Sequence, residues 1–282
     1  MKVRIALIVL LGGLAATRAA TTINATNKYA WGANIGWLDC RGDVNNGAVI
    51  GEYVCSGYIY GANVGWIGLG DSTPANGVLY QNNSGTDYGV NHDGQGNLRG
   101  YAWGANIGWV NFENTGAAKV DLITGRLSGY AYSANCGWIS LSNAVAQVRT
   151  DMITGGVDTD KDGIPDAYEW MWFGNLTKAD STSDYDHDGC ADQQEALADT
   201  NPLDPNDNLR IVLFARDGSY NALQWTSQPT RFYRVERRAA LDPAAPWEVY
   251  ISLDWLGWNN VGFADFGSPS FYRIKAVRPA SP

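Results

Sequence analysis

Two stretches of alternating large and small residues run along this chain, separated by one that does not alternate. Between residues 29 and 141 a ten-residue pattern recurs four times: YAWGANIGWL from Tyr29, YIYGANVGWI from Tyr58, YAWGANIGWV from Tyr101 and YAYSANCGWI from Tyr130. In each copy the alternation is interrupted by Gly-Ala-Asn or Ser-Ala-Asn and then resumes, which predicts a β-hairpin about a tight turn. The closing tryptophans, Trp37, Trp66, Trp109 and Trp138, stand 29, 43 and 29 residues apart, so one unit carries an insertion, residues 70–96. GNLRGYAW and GRLSGYAY share a lead-in, so a full unit holds about three strands. Units that cannot each bury their own apolar face should stack into one β domain, as a short solenoid or a closed sheet.

Within the repeats, Asn34, Asn63, Asn106 and Asn135 fall where a turn wants positive φ, and Gly36, Gly65, Gly108 and Gly137 leave room for a close neighbour. The recurring Tyr and Trp are expected inside, as the layer that joins one repeat to the next. On that reading Trp109→Ala costs about 3–5 kcal/mol. The alternative is a ligand face, with rings stacking on sugars. The 70–96 insertion, rich in Asn, Gly and Ser, is the place for a variable binding loop. From Leu209 a second alternation runs through LRIVLF, NALQW, RFYRVERR, WEVYISL, VGFADF and FYRIKAV. Six short strands predict a small sandwich of immunoglobulin or fibronectin type.

Between the two β regions the pattern is chemical rather than periodic. DTDKDGIPDAYE places Asp158, Asp160, Asp162, Asp166 and Glu169 at positions 1, 3, 5, 9 and 12 of a twelve-residue loop, with Gly163 at position 6. DYDHDGCADQQE places Asp184, Asp186, Asp188, Asp192 and Glu195, with Gly189, at the same positions. A calcium loop needs this spacing: the odd-numbered carboxylates turn inward, the glycine makes the sharp turn, and the last glutamate closes the shell with both oxygens. The position-7 carbonyls, of Ile164 and Cys190, add one oxygen each. About two Ca2+ ions are therefore expected. VRTDMITGGV, ahead of the first loop, lacks an amphipathic helix, so this is not a paired EF-hand domain.

The order of first loop, FGNL linker, second loop and TNPLDP tail resembles the thrombospondin type 3 calcium repeats of bacterial secreted proteins, over about 50 residues. The resemblance implies calcium on the loop carboxylates and position-7 carbonyls, with Asp204 and Asp207 as weaker candidates. It implies no reaction. The C-terminal β region looks like the small module that follows such segments.

Charge sharpens this picture. Residues 151–207 hold 15 acids against Lys161 and Lys178, whereas the chain as a whole carries −9. The acidity belongs to one ion-binding segment, and no basic patch offers nucleic acid a footing. MKVRIALIVLLGGLAATRAA combines Lys2 and Arg4 with an apolar run and small residues, the pattern of a secretory signal cut after Ala19. No later run approaches transmembrane length. The expected organisation is a signal at 1–19, an aromatic β-repeat domain at 20–148, a calcium segment with brief helices at 149–208 and a β-sandwich at 209–282, a mainly β chain.

In an exported chain Cys40 and Cys55 are expected to pair, for about 3 kcal/mol. Cys136 replaces Ile or Val of the sister repeats and reads as a small buried residue. Of two histidines, His187 occupies the outward position 4 of the second loop and His92 is expected at the surface. There is no GxSxG, HExxH or phosphate-binding glycine loop. The sequence thus predicts an exported, non-catalytic, calcium-binding protein of adhesion or recognition, with an extracellular glycan or protein as partner. A carbohydrate-binding accessory or a polysaccharide-acting enzyme is the alternative.

Overall fold

The computed structural model describes residues 21–280 apart from 241, 243 and 266–269. The expected secretory signal lies outside the described residues. The chain is mainly β, and among the described residues there are two short α-helices, α1 (Asp166–Trp172) and α2 (Asp192–Ala198).

Each repeat forms the hairpin its alternation predicts: Ile23–Gly32 with Gly36–Asp39, Tyr58–Gly61 with Gly65–Gly68, Leu98–Gly104 with Gly108–Asn111, and Tyr130–Ser133 with Gly137–Ser140. Every hairpin pairs antiparallel with the next, and the fourth returns to the first through Trp31 opposite Ser140. The closed sheet is therefore the observed outcome, a barrel of four hairpins without free edges. Its interior holds the smaller members of each alternation: Ala30 and Leu38, Ile59 and Ile67, Ala102 and Val110, Ala131 and Ile139.

The tryptophans face the other way, contrary to the expectation of a core layer. Trp37, Trp66, Trp109 and Trp138 are 46%, 46%, 43% and 46% exposed. A period-two strand gives each residue one of two faces, and a ring of eight short strands has room inside for Ala, Ile and Val but not for indoles. Outside, each closing tryptophan packs edge-on or tilted against the two aromatics of its hairpin partner, as Trp109 does with Tyr101 and Trp103 at 6.1 and 4.7 Å.

The turn asparagines also differ from expectation. None has positive φ; that conformation falls to Gly36, Gly65, Gly108 and Gly137, at 79°, 77°, 70° and 79°. The asparagine amides reach sideways instead. Asn63 donates to the Ile35 carbonyl (3.0 Å), Asn106 to Val64 (3.1 Å), Asn135 to Ile107 (3.0 Å), and Asn34 closes the circle on Cys136 (3.1 Å). A Cβ on Gly32 or Gly104 would meet the Ile35 or Ile107 side chain at 2.6 or 2.9 Å. In the fourth repeat Ser133 stands at that place and its neighbour is the smaller Cys136, so the pair conserves volume.

The lead-ins and links extend the same apolar core, adding Ile23, Ile50, Val90, Leu98, Phe112, Val120, Leu127 and Val148. Cys40 and Cys55 belong to this core as free thiols, not as a disulfide. Nearness in sequence does not aim two Cβ atoms at each other. Burial pushes both thiols up to about 12, so they stay protonated and serve as small apolar residues. His92 is also buried, not at the surface: its Nδ1 pairs with the Gly51 carbonyl at 2.9 Å, and its Nε2 accepts from the Gly96 amide at 3.0 Å. Burial holds its pKa below the usual histidine range.

The C-terminal region is two three-stranded antiparallel sheets. One contains Ile211–Asp217, Tyr220–Trp225 and Asn260–Ala264; the other contains Glu248–Leu253, Phe232–Arg238 and Phe271–Val277. Leu223, Trp225, Tyr233, Val235, Phe263 and Ala276 form its core together with Ala198 of α2.

Candidate metal centre

Each acidic loop runs directly into a helix. Asp166 and Asp192, ninth in their loops, open α1 and α2, and Glu169 and Glu195 follow one turn later. Neither helix has a side-chain N-cap; the first-turn acids face the partial positive charge of the free amides instead. Behind the loops lies a small core of Ile164, Tyr168, Phe173, Ala179 and Ala196, and the Tyr168 hydroxyl donates to the Thr200 carbonyl at 2.9 Å. Trp170 is directed outward against the repeat domain, where its ring covers Gly77 closely enough to exclude a Cβ.

The two loops share one backbone course. Position 4 is left-handed in both, Lys161 at 64° and His187 at 62°, and position 6 is Gly163 at 94° and Gly189 at 92°. That path folds the loop's own amides onto its carboxylates. Asp158 accepts from the amides of Lys161 (2.7 Å) and Gly163 (3.0 Å); Asp184 accepts from those of Asp188 (3.2 Å) and Gly189 (3.0 Å). Asp162 and Asp188 accept from the position-7 amides of Ile164 and Cys190, at 2.8 and 2.7 Å. Asp158, Asp160 and Asp162 thereby bring one oxygen each within 4.8 Å of one another, and so do Asp184, Asp186 and Asp188. An oxygen that accepts one amide keeps a second lone pair.

The ninth residues do a different task. Asp166 accepts from the Thr159 amide (2.7 Å) and hydroxyl (2.6 Å), and Asp192 from the Tyr185 amide (3.1 Å) and the Ser183 hydroxyl. They close each loop onto its helix. Asp204 accepts from Asn206 and Asp207 from Asn201 within the tail, and Asp207 also accepts from Gln228 of the C-terminal β region.

The twelfth residues carry the decisive observation. Glu169 is fully buried and neither of its oxygens has a partner; Glu195 is fully buried with one oxygen on the Thr200 hydroxyl (3.1 Å) and the other unpartnered. One buried oxygen each of Asp162 and Asp186 is unpartnered as well. Burying a carboxylate without a partner costs several kcal/mol, so in the protein alone the group takes up a proton. Burial, and then the neighbouring loop aspartates, pushes Glu169 up to about 8; burial does the same to Glu195 against the opposing Thr200 bond. Asp162 and Asp186 are raised for the same reasons.

Orphaned, converging oxygens with no nitrogen or thiolate among them are what a hard divalent cation satisfies, and the number of donors per loop suits Ca2+. The residues therefore fit the expected ions: three aspartates and a terminal glutamate in each loop, with the position-7 backbone adjoining. Three side chains near the loops carried no advance signal. Gln193 of α2 donates to the Asp162 carbonyl at 2.9 Å and so ties the second loop to the first; Asn208 donates to Asp188; Thr200 donates to Glu195. The first two partnerships join residues 31 and 20 positions apart and depend on how the segments pack. No protein-family model matches the chain, and no curated protein matches it.

Proposed function

We propose that this chain is an exported protein that holds two calcium ions in loops 158–169 and 184–195 and acts by recognition at or outside the cell surface, without catalysis. The observation that carries the calcium reading is the pair of fully buried glutamates, Glu169 and Glu195, with oxygens that no protein group satisfies. The resemblance to thrombospondin type 3 repeats agrees with it. The ions neutralise the loop carboxylates and let a segment with a small apolar core keep its shape between two β units. No helix among the described residues is long and apolar enough to cross a membrane.

The outward tryptophans favour a specific form of recognition, carbohydrate binding. Tyr29, Trp37, Tyr58, Tyr60, Trp66, Trp103, Trp109, Tyr130, Tyr132 and Trp138 are each between 37% and 48% exposed, and all are Tyr or Trp, rings with a polar handle. They circle a barrel whose strands mostly run four residues, about 14 Å, far short of the roughly 30 Å hydrocarbon core of a bilayer. A glycan array probed with the calcium-loaded protein, beside a hydrolase screen on the bound glycans, tests the reading. Binding that is lost in Trp66→Ala or Trp109→Ala without a matching loss of melting temperature supports it. Turnover of any polysaccharide overturns the non-catalytic reading in favour of an enzyme.

A further inference from the structure

Helix α2 belongs to three parts of the molecule at once. Its first turn carries two acids of the second loop, Asp192 and Glu195; Ala196 packs in the small core behind the loops; Ala198 is buried in the core of the C-terminal sandwich. At its end sits Arg231, from the sandwich, only 1% exposed. The Arg231 Nε donates to the Leu197 carbonyl at 2.7 Å, its Nη1 lies 3.6 Å from Asp199, and its Nη2 forms an ion pair with Glu52 of the repeat domain. Glu52 is 6% exposed, and its other oxygen takes Arg278 of the sandwich at 2.9 Å. Thr230 donates to Asp199 on the same side.

A second line leaves the loop itself. Asn208 donates to Asp188, the fifth residue of the loop; the Arg210 guanidinium donates to the Asn208 side-chain oxygen at 2.7 Å, and the Thr226 hydroxyl to its carbonyl. Arg210 and Thr226 flank the first two strands of the sandwich.

We propose that the ion held by the 184–195 loop is the lock that fixes the sandwich on the barrel. This rests on the calcium reading and extends it. The ion holds Asp188 and Glu195 in place, and through Glu195 the helix whose far end receives Arg231. A buried arginine and a buried glutamate are tolerable only while their remaining donors and acceptors are filled, so Arg231 and Glu52 depend on the Leu197 carbonyl and Asp199 staying where α2 puts them. Without the ion, the crowded carboxylates of the second loop repel, α2 loses its first turn, and the Arg231–Glu52 pair opens to water. What then still joins the sandwich to the barrel lies at the chain end: Arg278 on Glu52 (2.9 Å), the Ala280 amide on the Leu122 carbonyl (3.1 Å), the Pro279 carbonyl on the Ile153 amide (3.4 Å), and Ala280 against the barrel core. Contacts confined to one strand end tether the sandwich but do not fix its orientation.

The test uses the full mature chain in calcium and in chelator, with calorimetry to count ions and small-angle scattering to read the arrangement of the β units. Glu195→Gln in calcium is expected to bind one ion fewer and to show the larger radius of gyration that the wild type shows only in chelator. Glu169→Gln is expected to lose one ion and keep the wild-type radius. Glu52→Gln, which leaves every loop residue in place, is expected to bind both ions and still show the larger radius. If the wild type binds no calcium, the calcium reading itself fails. If the ion counts are as stated but the radius of Glu195→Gln or Glu52→Gln stays at the calcium-loaded value, the lock is overturned and the calcium reading stands. An equal expansion of Glu169→Gln also overturns it.

Discussion

The barrel and the calcium segment are both built by repeating a short motif, yet they solve the burial problem in opposite ways. The barrel repeats turn their smallest apolar residues inward and their most conspicuous ones outward, and they close on themselves through the Asn34, Asn63, Asn106 and Asn135 amides. Every hydrogen bond in that ring is made by the chain. The acidic segment turns its most conspicuous residues inward, burying Glu169, Asp192 and Glu195 completely, and its chain leaves both oxygens of Glu169 and one of Glu195 without a partner. One region is complete as a polypeptide. The other, on the proposed reading, is complete only with its ions, and that difference defines how each should fail.

Removing calcium should therefore produce the largest effect and the most local one. In chelator, cleavage by a broad-specificity protease should appear within residues 151–207 while the barrel core stays resistant, read by mass spectrometry of the fragments. Glu169→Ala or Glu195→Ala should each make the segment cleavable in calcium. Cleavage spread evenly over barrel and segment would show that the two regions do not differ as described.

Inside the barrel the contrast lies between faces. Ile139→Ala removes a residue that is 3% exposed and should cost about 2–5 kcal/mol, whereas Trp109→Ala, at a position 43% exposed, should cost about 1 kcal/mol or less despite removing far more atoms. Thermal melts of the two variants order them. A larger cost for Trp109 would return the indoles to a structural role.

A smaller effect concerns pH in the metal-free protein. Burial pushes the Glu169 and Glu195 carboxyls up to about 8, from about 4.5 for an exposed glutamate, so between these the folded segment holds protons that the unfolded chain releases. Their contribution to stability is fully present below about 4.5 and is lost as pH rises through about 8. The chelated segment should accordingly resist proteolysis better at pH 5 than at pH 8. With calcium, the ion displaces those protons, so binding at pH 7 should release protons, measurable by repeating the calorimetry in buffers of different ionisation enthalpy. The smallest effect is chemical: Cys40 and Cys55, buried thiols, should resist alkylation in the native protein and react on unfolding, with no reductant needed.

The shared course of the two acidic loops, proposed here to hold calcium, was legible because the spacing of Asp and Gly sets it locally, and it does bring three carboxylates together in each loop. The hairpins were legible too, since alternation about a Gly-Ala-Asn turn has one local solution. Which face of the barrel strands points inward was not. Tyr29 and Trp31 alternate with Ala30 just as core aromatics would, and it is the diameter of the closed ring that turns the large rings outward. The same holds for Asn34, whose partner is a carbonyl 102 residues away, and for His92, buried by a contact with Gly51. Arg231 and Glu52 gave no sign at all, because a buried ion pair between two β units is defined by how the units dock.

The central claim is that the segment between the two β units is a two-ion calcium site. Titration calorimetry of the fully chelated wild-type chain with calcium chloride tests it most directly. The account predicts two ions per chain, with affinities suited to the ~10⁻⁴–10⁻³ M calcium of an extracellular medium, and one ion fewer in each of Glu169→Gln and Glu195→Gln. No heat of binding up to several millimolar calcium, with a protease pattern unchanged by chelator, would contradict it.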